Sequence, residues 1–299
     1  MSNEIYIPRP EKFSFLQAVN GHGWSHLLPF ESDEAGVTLH YVFRTGVSGP
    51  AISVSISEDG DSLKVETSSH AGHHEDISHS VRHVLRFDDD LDDFYSTIGS
   101  EEALAWIRIA NAGRLLRSQT VFEDLVKTLC TTNCSWALTK NMTRNLVEKL
   151  GEPAADGRRA FPTAQAMAEV NEGFYRDEIR AGYRSPYFVE LAESVASGKL
   201  DPEAWLVSDL PTAELKKEIK SVKGIGDYAA ENLLKLLGRY DGLALDSWLR
   251  AEYYKKHNRQ KKCADKKIEK HYKKFGKWQG LAMWCDMAGD RSAETPNQT

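Results

Sequence analysis

Near residue 98 the spacing of apolar residues changes from two to between three and four. A chain that does this must fold as a sheet followed by helices. Before that point "GVTLHYVFR" and "AISVSIS" alternate, "EDGDS" reads as a turn, and "LKVETSS" as the returning strand. A helix-like segment follows, "ISHSVRHVLRF", with Ile77, Val81, Val84 and Leu85 on one face. The acidic "DDDLDD" then marks a boundary near residue 98. Beyond it, "EEALAWIRIANA", "TVFEDLVKTLCTTN", "WALTKNMTRNLVEKLG" and "SPYFVELAESVASG" carry apolar stripes at helical spacing, with Gly151 and Gly198 as stops. Thr163 and Thr212 read as helix caps. The predicted architecture is α+β: an N-terminal antiparallel β-sheet domain over 1–98, packed on a mostly α-helical region over 99–299. The tail "GDRSAETPNQT" reads as frayed.

At 299 residues, with 41% hydrophobic and 27% charged, the chain has the make-up of a globular protein. It shows neither a membrane-length apolar run nor a secretory signal, so the expectation is a cytoplasmic protein with no membrane partner. Cys130, Cys134, Cys263 and Cys285 have neither zinc-ribbon nor iron–sulfur spacing and read as free thiols. His79 and His83 are one helical turn apart. With no Cys or carboxylate completing a site, they read as exposed histidines rather than metal ligands. The net charge of −6 hides an asymmetry. Residues 1–100 are acid-rich, whereas "YYKKHNRQKKCADKKIEKHYKKFGK", residues 253–277, is dominated by lysine. That segment either meets a polyanion or forms a solvated face.

The stretch "KSVKGIGDYAAENLLKLLGRYDGLALDSWLR" joins two helix-like runs through Gly224 and Gly226. It reads as a helical hairpin over about 212–238. Glycines permit positive φ and leave no Cβ in the way, so the turn can lie flat against a ligand. Amides near Gly226, at the start of the second helix, point outward as an anion site, flanked by Lys220 and Lys223. A phosphodiester suits it, bound without regard to base sequence. The carbonyls of Lys220, Val222 and Ile225 would suit a structural Na+ or K+. Asp246 follows in the apolar loop 243–248, where a lone carboxylate exerts a strong field.

"VKGIGDYAAENLLKLLG…ALDSW" resembles the helix-hairpin-helix DNA glycosylase superfamily, in which a Gly-x-Gly hairpin precedes a catalytic Asp by some twenty residues. The acidic N-terminal part is similar to the TBP-like sheet domain of 3-methyladenine DNA glycosylase II and 8-oxoguanine DNA glycosylase. The resemblance implies that Asp246 stabilises the sugar cation formed as a flipped base leaves double-stranded DNA. Bifunctional members carry a lysine where this chain has Tyr228, so no Schiff base is expected and water attacks. Tyr228 is a stacking candidate for an electron-poor alkylated purine. Trp248 and Trp284 are candidate pocket walls. The resemblance also implies that Tyr183 wedges into the duplex while Asn133 and Arg184 bond the orphaned base. Leu138 stands where the oxoguanine enzyme has an arginine. The reading is a monomeric, monofunctional glycosylase of base excision repair that requires no cofactor and carries no iron–sulfur cluster. The alternatives are a bifunctional 8-oxoguanine-type glycosylase/lyase and a non-catalytic DNA-binding protein.

Overall fold

The computed structural model describes residues 3–33, 37–46, 49–68 and 71–289. The polar tail beyond Gly289 lies outside the described residues. Five strands, β1 (Glu4–Pro8), β2 (Glu31–Ser32), β3 (Thr38–Arg44), β4 (Ala51–Asp59) and β5 (Ser62–Thr67), form one antiparallel sheet in the order β1-β5-β4-β3-β2. Alternation fixes its register, with Tyr41 opposite Val54 and Ile56 opposite Val65. Helices α1 (Phe15–Val19), α2 (His74–Val84), α3 (Asp92–Ile98) and α4 (Ala105–Ile109) share its apolar cluster. The predicted stripe of Ile77, Val81, Val84 and Leu85 is buried. His79 is exposed, but His83 is half-buried and its pKa is pushed down to about 3, by burial first and then by Arg117. The expectation of two exposed histidines is corrected there.

The remaining chain is helical: α5 (Val121–Thr131), α6 (Trp136–Leu150), α7 (Ala164–Ala168), α8 (Glu172–Asp177), α9 (Ser185–Ala196), α10 (Thr212–Lys220), α11 (Asp227–Leu236), α12 (Ser247–His257), α13 (Asp265–Tyr272) and α14 (Gln279–Ala288). Side chains start several of them. Thr120, Ser135, Thr163 and Asp246 each accept an amide of the first turn. Thr212 does not. Pro211 occupies the cap, and the Thr212 hydroxyl instead donates to Asp241 at 2.8 Å.

Packing joins distant parts of the chain. One apolar cluster unites the sheet and residues up to Leu116 with Leu236–Met287, and a second holds residues from Val121 to Leu234. Buried polar bonds tie the sheet side to α5. Tyr41 donates to Glu123 at 2.6 Å, Trp24 donates to Asp124 at 2.7 Å, and Lys127 pairs with Glu123 at 2.6 Å. All four cysteines are free. No helix among the described residues is long and apolar enough to cross a membrane.

Candidate active site at the helical hairpin

Helices α10 and α11 pack side by side and are joined by the turn 221–226. Gly224 sits at φ 89°, and a Cβ there would lie 2.6 Å from Tyr187 and 2.8 Å from Leu129. The turn is therefore pressed onto α5 and α9. Gly226 differs from the expectation. Its φ is −91°, in extended backbone, and a Cβ would meet nothing within 4 Å. What Gly226 leaves bare is the outer surface of the turn, where a ligand can approach. No side chain caps α11, so its first amides keep their anion-binding capacity. The flanking lysines are not free, however. Lys220 pairs with Asp227 at 3.0 Å, joined by Lys216 at 3.1 Å, and Lys223 pairs with Glu190 at 3.0 Å. Hydrogen bonds from Lys220 and then Lys216 hold the Asp227 carboxyl below its ordinary range. In the turn itself, the Val222 carbonyl accepts from Ile225 N–H at 3.1 Å.

The loop that carries Asp246 is pinned residue by residue. Lys235 donates to the Leu243 carbonyl at 3.1 Å, and Glu231 accepts from Ala244 N–H at 2.7 Å. Arg250 donates to the Leu245 carbonyl at 3.1 Å and is itself held by Asp265 through two bonds of 2.8 and 2.9 Å. Ala244 is left-handed at φ 49°, which costs about 1–2 kcal/mol and persists only where neighbours enforce it. Asp246 is half-buried. One of its oxygens accepts Leu249 N–H at 2.7 Å, which starts α12, and the other accepts the Tyr228 hydroxyl at 3.3 Å. The carboxylate is thus one tyrosine side chain away from the hairpin turn.

A third feature lies beside these two. Asn133, left-handed at φ 46°, donates to the Tyr183 hydroxyl at 3.3 Å. Tyr183 is 52% exposed, and the Arg184 guanidinium lies 4.5 Å from its ring centroid. Arg184 itself is only 5% exposed and donates to Thr132 at 3.1 Å. It braces the tyrosine from below. Tyr187 connects this cluster to the hairpin, edge-on to Tyr183 at 6.1 Å and in contact range of Gly224.

The amino-acid sequence matches no protein-family model and no curated protein. Solved structures do match. A structure of MBOgg1 with a low-affinity DNA ligand aligns over 96% of this chain and 95% of its own, with TM-score 0.75 and 18% identity. The apo 8-oxoguanine glycosylase/lyase of Clostridium acetobutylicum aligns over 97% of both chains, with TM-score 0.74 and 18% identity. The 3-methyladenine DNA glycosylase of Archaeoglobus fulgidus aligns over 94% of this chain and 97% of its own, with TM-score 0.68 and 17% identity. The fold is that of the helix-hairpin-helix DNA glycosylases.

Within this glycosylase fold, sequence reasoning named Trp284 as a pocket wall but did not place Lys235 or His22 against it. Lys235 is fully buried, and its ammonium lies 5.4 Å from the Trp284 ring centroid. Burial pushes its pKa down to about 8, against the pull of Glu231 and then Asp246. Behind it His22 is buried against Trp24 and Trp284, at 4.4 and 5.3 Å between ring centroids. Burial, then Lys235 and Arg86, push its pKa down to about 3, so it is neutral. Trp284 donates to the Gly21 carbonyl at 2.6 Å, which fixes the ring. Trp248 stands 5.8 Å from Trp284 and is 41% exposed, so it offers an open aromatic face. Leu138 is exposed on α6. The signal for Lys235 was its place on α11, seven residues after Tyr228 and so on the same face.

Among the described residues one set of metal-ligand types does come together, away from His79. Atoms of His257, His271 and Asp286 lie within 4.8 Å of one another. The Asp286 carboxylate is already occupied by Lys256 at 2.6 Å, His257 at 2.7 Å and Tyr272 at 2.5 Å. An ammonium at the carboxylate opposes a second cation, so the cluster reads as a structural network.

Proposed function

We propose that this chain is a monofunctional DNA N-glycosylase, which takes a damaged purine out of a duplex, hydrolyses its N-glycosidic bond and leaves an abasic site. The observation that carries the reading is Asp246, fixed beside the hairpin by Tyr228 and Leu249 N–H, with a hydroxyl rather than an amine at position 228. As the base departs, positive charge grows on the deoxyribose, and a preorganised carboxylate lowers the barrier by stabilising it. The same carboxylate orients and deprotonates the attacking water. The hairpin amides hold the backbone. A Na+ or K+ on the carbonyls of Lys220, Val222 and Ile225 would add charge toward that phosphate. Tyr183 would fill the space that the base leaves, with Asn133 facing the orphaned partner and the buried Arg184 bracing the tyrosine.

An alkylated purine suits this site best. Lys235 already covers Trp284, which leaves the exposed Trp248 as the electron-rich face for an electron-poor base. Tyr228 serves less as a platform than as a hydrogen-bond donor to Asp246. The second reading, a glycosylase/lyase acting on oxidised purine, finds one observation in its favour. Lys235 is a buried amine near the carboxylate with its pKa pushed down to about 8. Its commitment to the Leu243 carbonyl and its complete burial argue against reach to a sugar.

The deciding experiment incubates the protein with duplexes bearing methylated purines or 8-oxoguanine and then follows strand cleavage with and without alkali, together with borohydride trapping. Release of a methylated purine, cleavage only after alkali and no trapped adduct are expected. A trapped adduct on 8-oxoguanine DNA selects the lyase reading. Tight binding without base release from any duplex leaves a non-catalytic clamp.

A further inference from the structure

The lysine-rich segment 253–277 sorts itself into two faces. Lys255 pairs with Glu252, Lys256 with Asp286, Lys274 with Glu101 and Lys277 with Asp93, at 2.6, 2.6, 2.6 and 2.9 Å. Lys267 donates to Asn258 at 2.6 Å. These lysines are consumed within the fold. Lys261 and Lys262, ahead of α13, are exposed and, among the described residues, pair with no acid, and the same holds for Lys266, Lys270 and Lys273. The spacing of the last three places them on one face of α13 and its continuation, opposite the buried Ile268 and Tyr272.

That face is one wall of a cleft of about 990 Å³. The floor is the loop that leads to Asp246, represented by Gly242, Leu243 and Leu245. The other wall is the hairpin helix, with Asp227, Tyr228 and Glu231. Acids also line the cleft, but most are engaged. Asp227 is held by Lys216 and Lys220, Glu231 by Lys216 and Ala244 N–H, Asp265 by Arg250, and Asp241 by the Thr212 hydroxyl. Glu269, between the lysines, is the acid left over. What remains is a positive stripe that shares one cleft with the start of α11 and the loop that leads to Asp246. Seven residues of helix span roughly 10 Å, the axial rise over which one DNA strand presents about three phosphates.

We propose that Lys266, Lys270 and Lys273 form a second backbone grip, which holds phosphates of the duplex flanking the lesion while the hairpin holds the lesion strand. The inference rests on the DNA glycosylase reading. It concerns affinity and footprint rather than bond cleavage, because none of the three lysines bonds to the Asp246 loop.

The test compares two triple variants of the full chain. One is Lys266→Gln/Lys270→Gln/Lys273→Gln. The other, Lys267→Gln/Lys274→Gln/Lys277→Gln, removes the same charge from the consumed face. Binding to a duplex with a stable abasic analogue is measured by anisotropy between about 50 and 200 mM salt. The slope of log affinity against log salt is expected to shallow by about 2–3 in the first variant, at roughly 0.9 per lost phosphate contact, and to hold in the second. Equal slopes in both variants, whether shallowed or not, overturn the grip while leaving the glycosylase reading standing. If the wild-type protein neither prefers the analogue duplex nor releases a base, the function itself is wrong and the grip falls with it.

Discussion

On the proposed function Asp246 has two tasks, capping α12 and stabilising the sugar cation, and a single substitution separates them. Asparagine caps a helix as well as aspartate does, so Asp246→Asn keeps the bond to Leu249 N–H and the start of α12. What it removes is the charge. Base release is expected to fall below a few per cent of wild type while duplex binding persists, and single-turnover assays beside anisotropy check both. Tyr228→Phe deletes only the hydroxyl that aims the carboxylate. A net hydrogen bond of about 1–1.5 kcal/mol predicts a roughly tenfold slower release at unchanged affinity. His22 gives a pH signature. It is held neutral in the fold with its pKa pushed down to about 3, against an ordinary value of 6.5. The unfolded chain therefore binds the extra proton between those values, and stability falls as pH drops from 6.5 toward 3. Between pH 7.5 and 5, urea unfolding of wild type is expected to lose about 1–2 kcal/mol more than that of His22→Phe. Of these residues, Asp246 and Tyr228 were named through the family resemblance, and the structure brings their side chains together. His22 was not, because its partners Trp284 and Lys235 lie more than two hundred residues away along the chain.

At the scale of elements, the hairpin is where the local code and the ligand's demands can be told apart. Gly224 is required by the fold itself. At φ 89°, with Tyr187 and Leu129 under 3 Å from an added Cβ, Gly224→Ala is expected to destabilise by about 2–3 kcal/mol in urea. Gly226 is required by nothing inside the protein. Gly226→Ala should leave the unfolding midpoint within about 0.5 kcal/mol and still weaken duplex binding, because its Cβ projects where a phosphate would approach. A Gly226→Ala protein that binds as tightly as wild type removes the turn from the DNA interface. Sequence alone gave both glycines the same role, since it could not see which one faces inward. It read the long helices well, because stripes such as Ile77–Val81–Val84 repeat over whole turns. It missed β1, whose alternation lasts five residues, and β2, which has two. It also misjudged Thr212, whose hydroxyl goes to Asp241, a partner supplied by a loop further along the chain.

At the scale of the whole molecule, the acid-rich and lysine-rich parts of the chain touch at Asp93. Lys274 and Lys277 reach Glu101 and Asp93, and Trp278 donates to Asp93 at 2.7 Å, so part of the lysine run serves cohesion. Composition showed the imbalance, but only the packing shows which lysines it leaves over. The same closure shapes the core. Residues before Leu116 and after Leu236 share one apolar cluster, so the sheet and the C-terminal helices gain their burial together. Trp24 and Tyr41 then bond buried acids of α5 and couple that cluster to the second. Such coupling predicts one cooperative transition rather than two. Tryptophan fluorescence and far-ultraviolet circular dichroism should report the same urea midpoint. Trp24→Phe takes one donor from the buried Asp124 carboxylate and leaves Ser118, whose N–H stands at 2.9 Å and whose hydroxyl also bonds it. Its cost is expected to be about 1–3 kcal/mol, and the two probes should shift together. Separate midpoints, with one probe moving while the other stays, would mean that the bonds to α5 do not couple the clusters and that the site between them is held by the hairpin side alone.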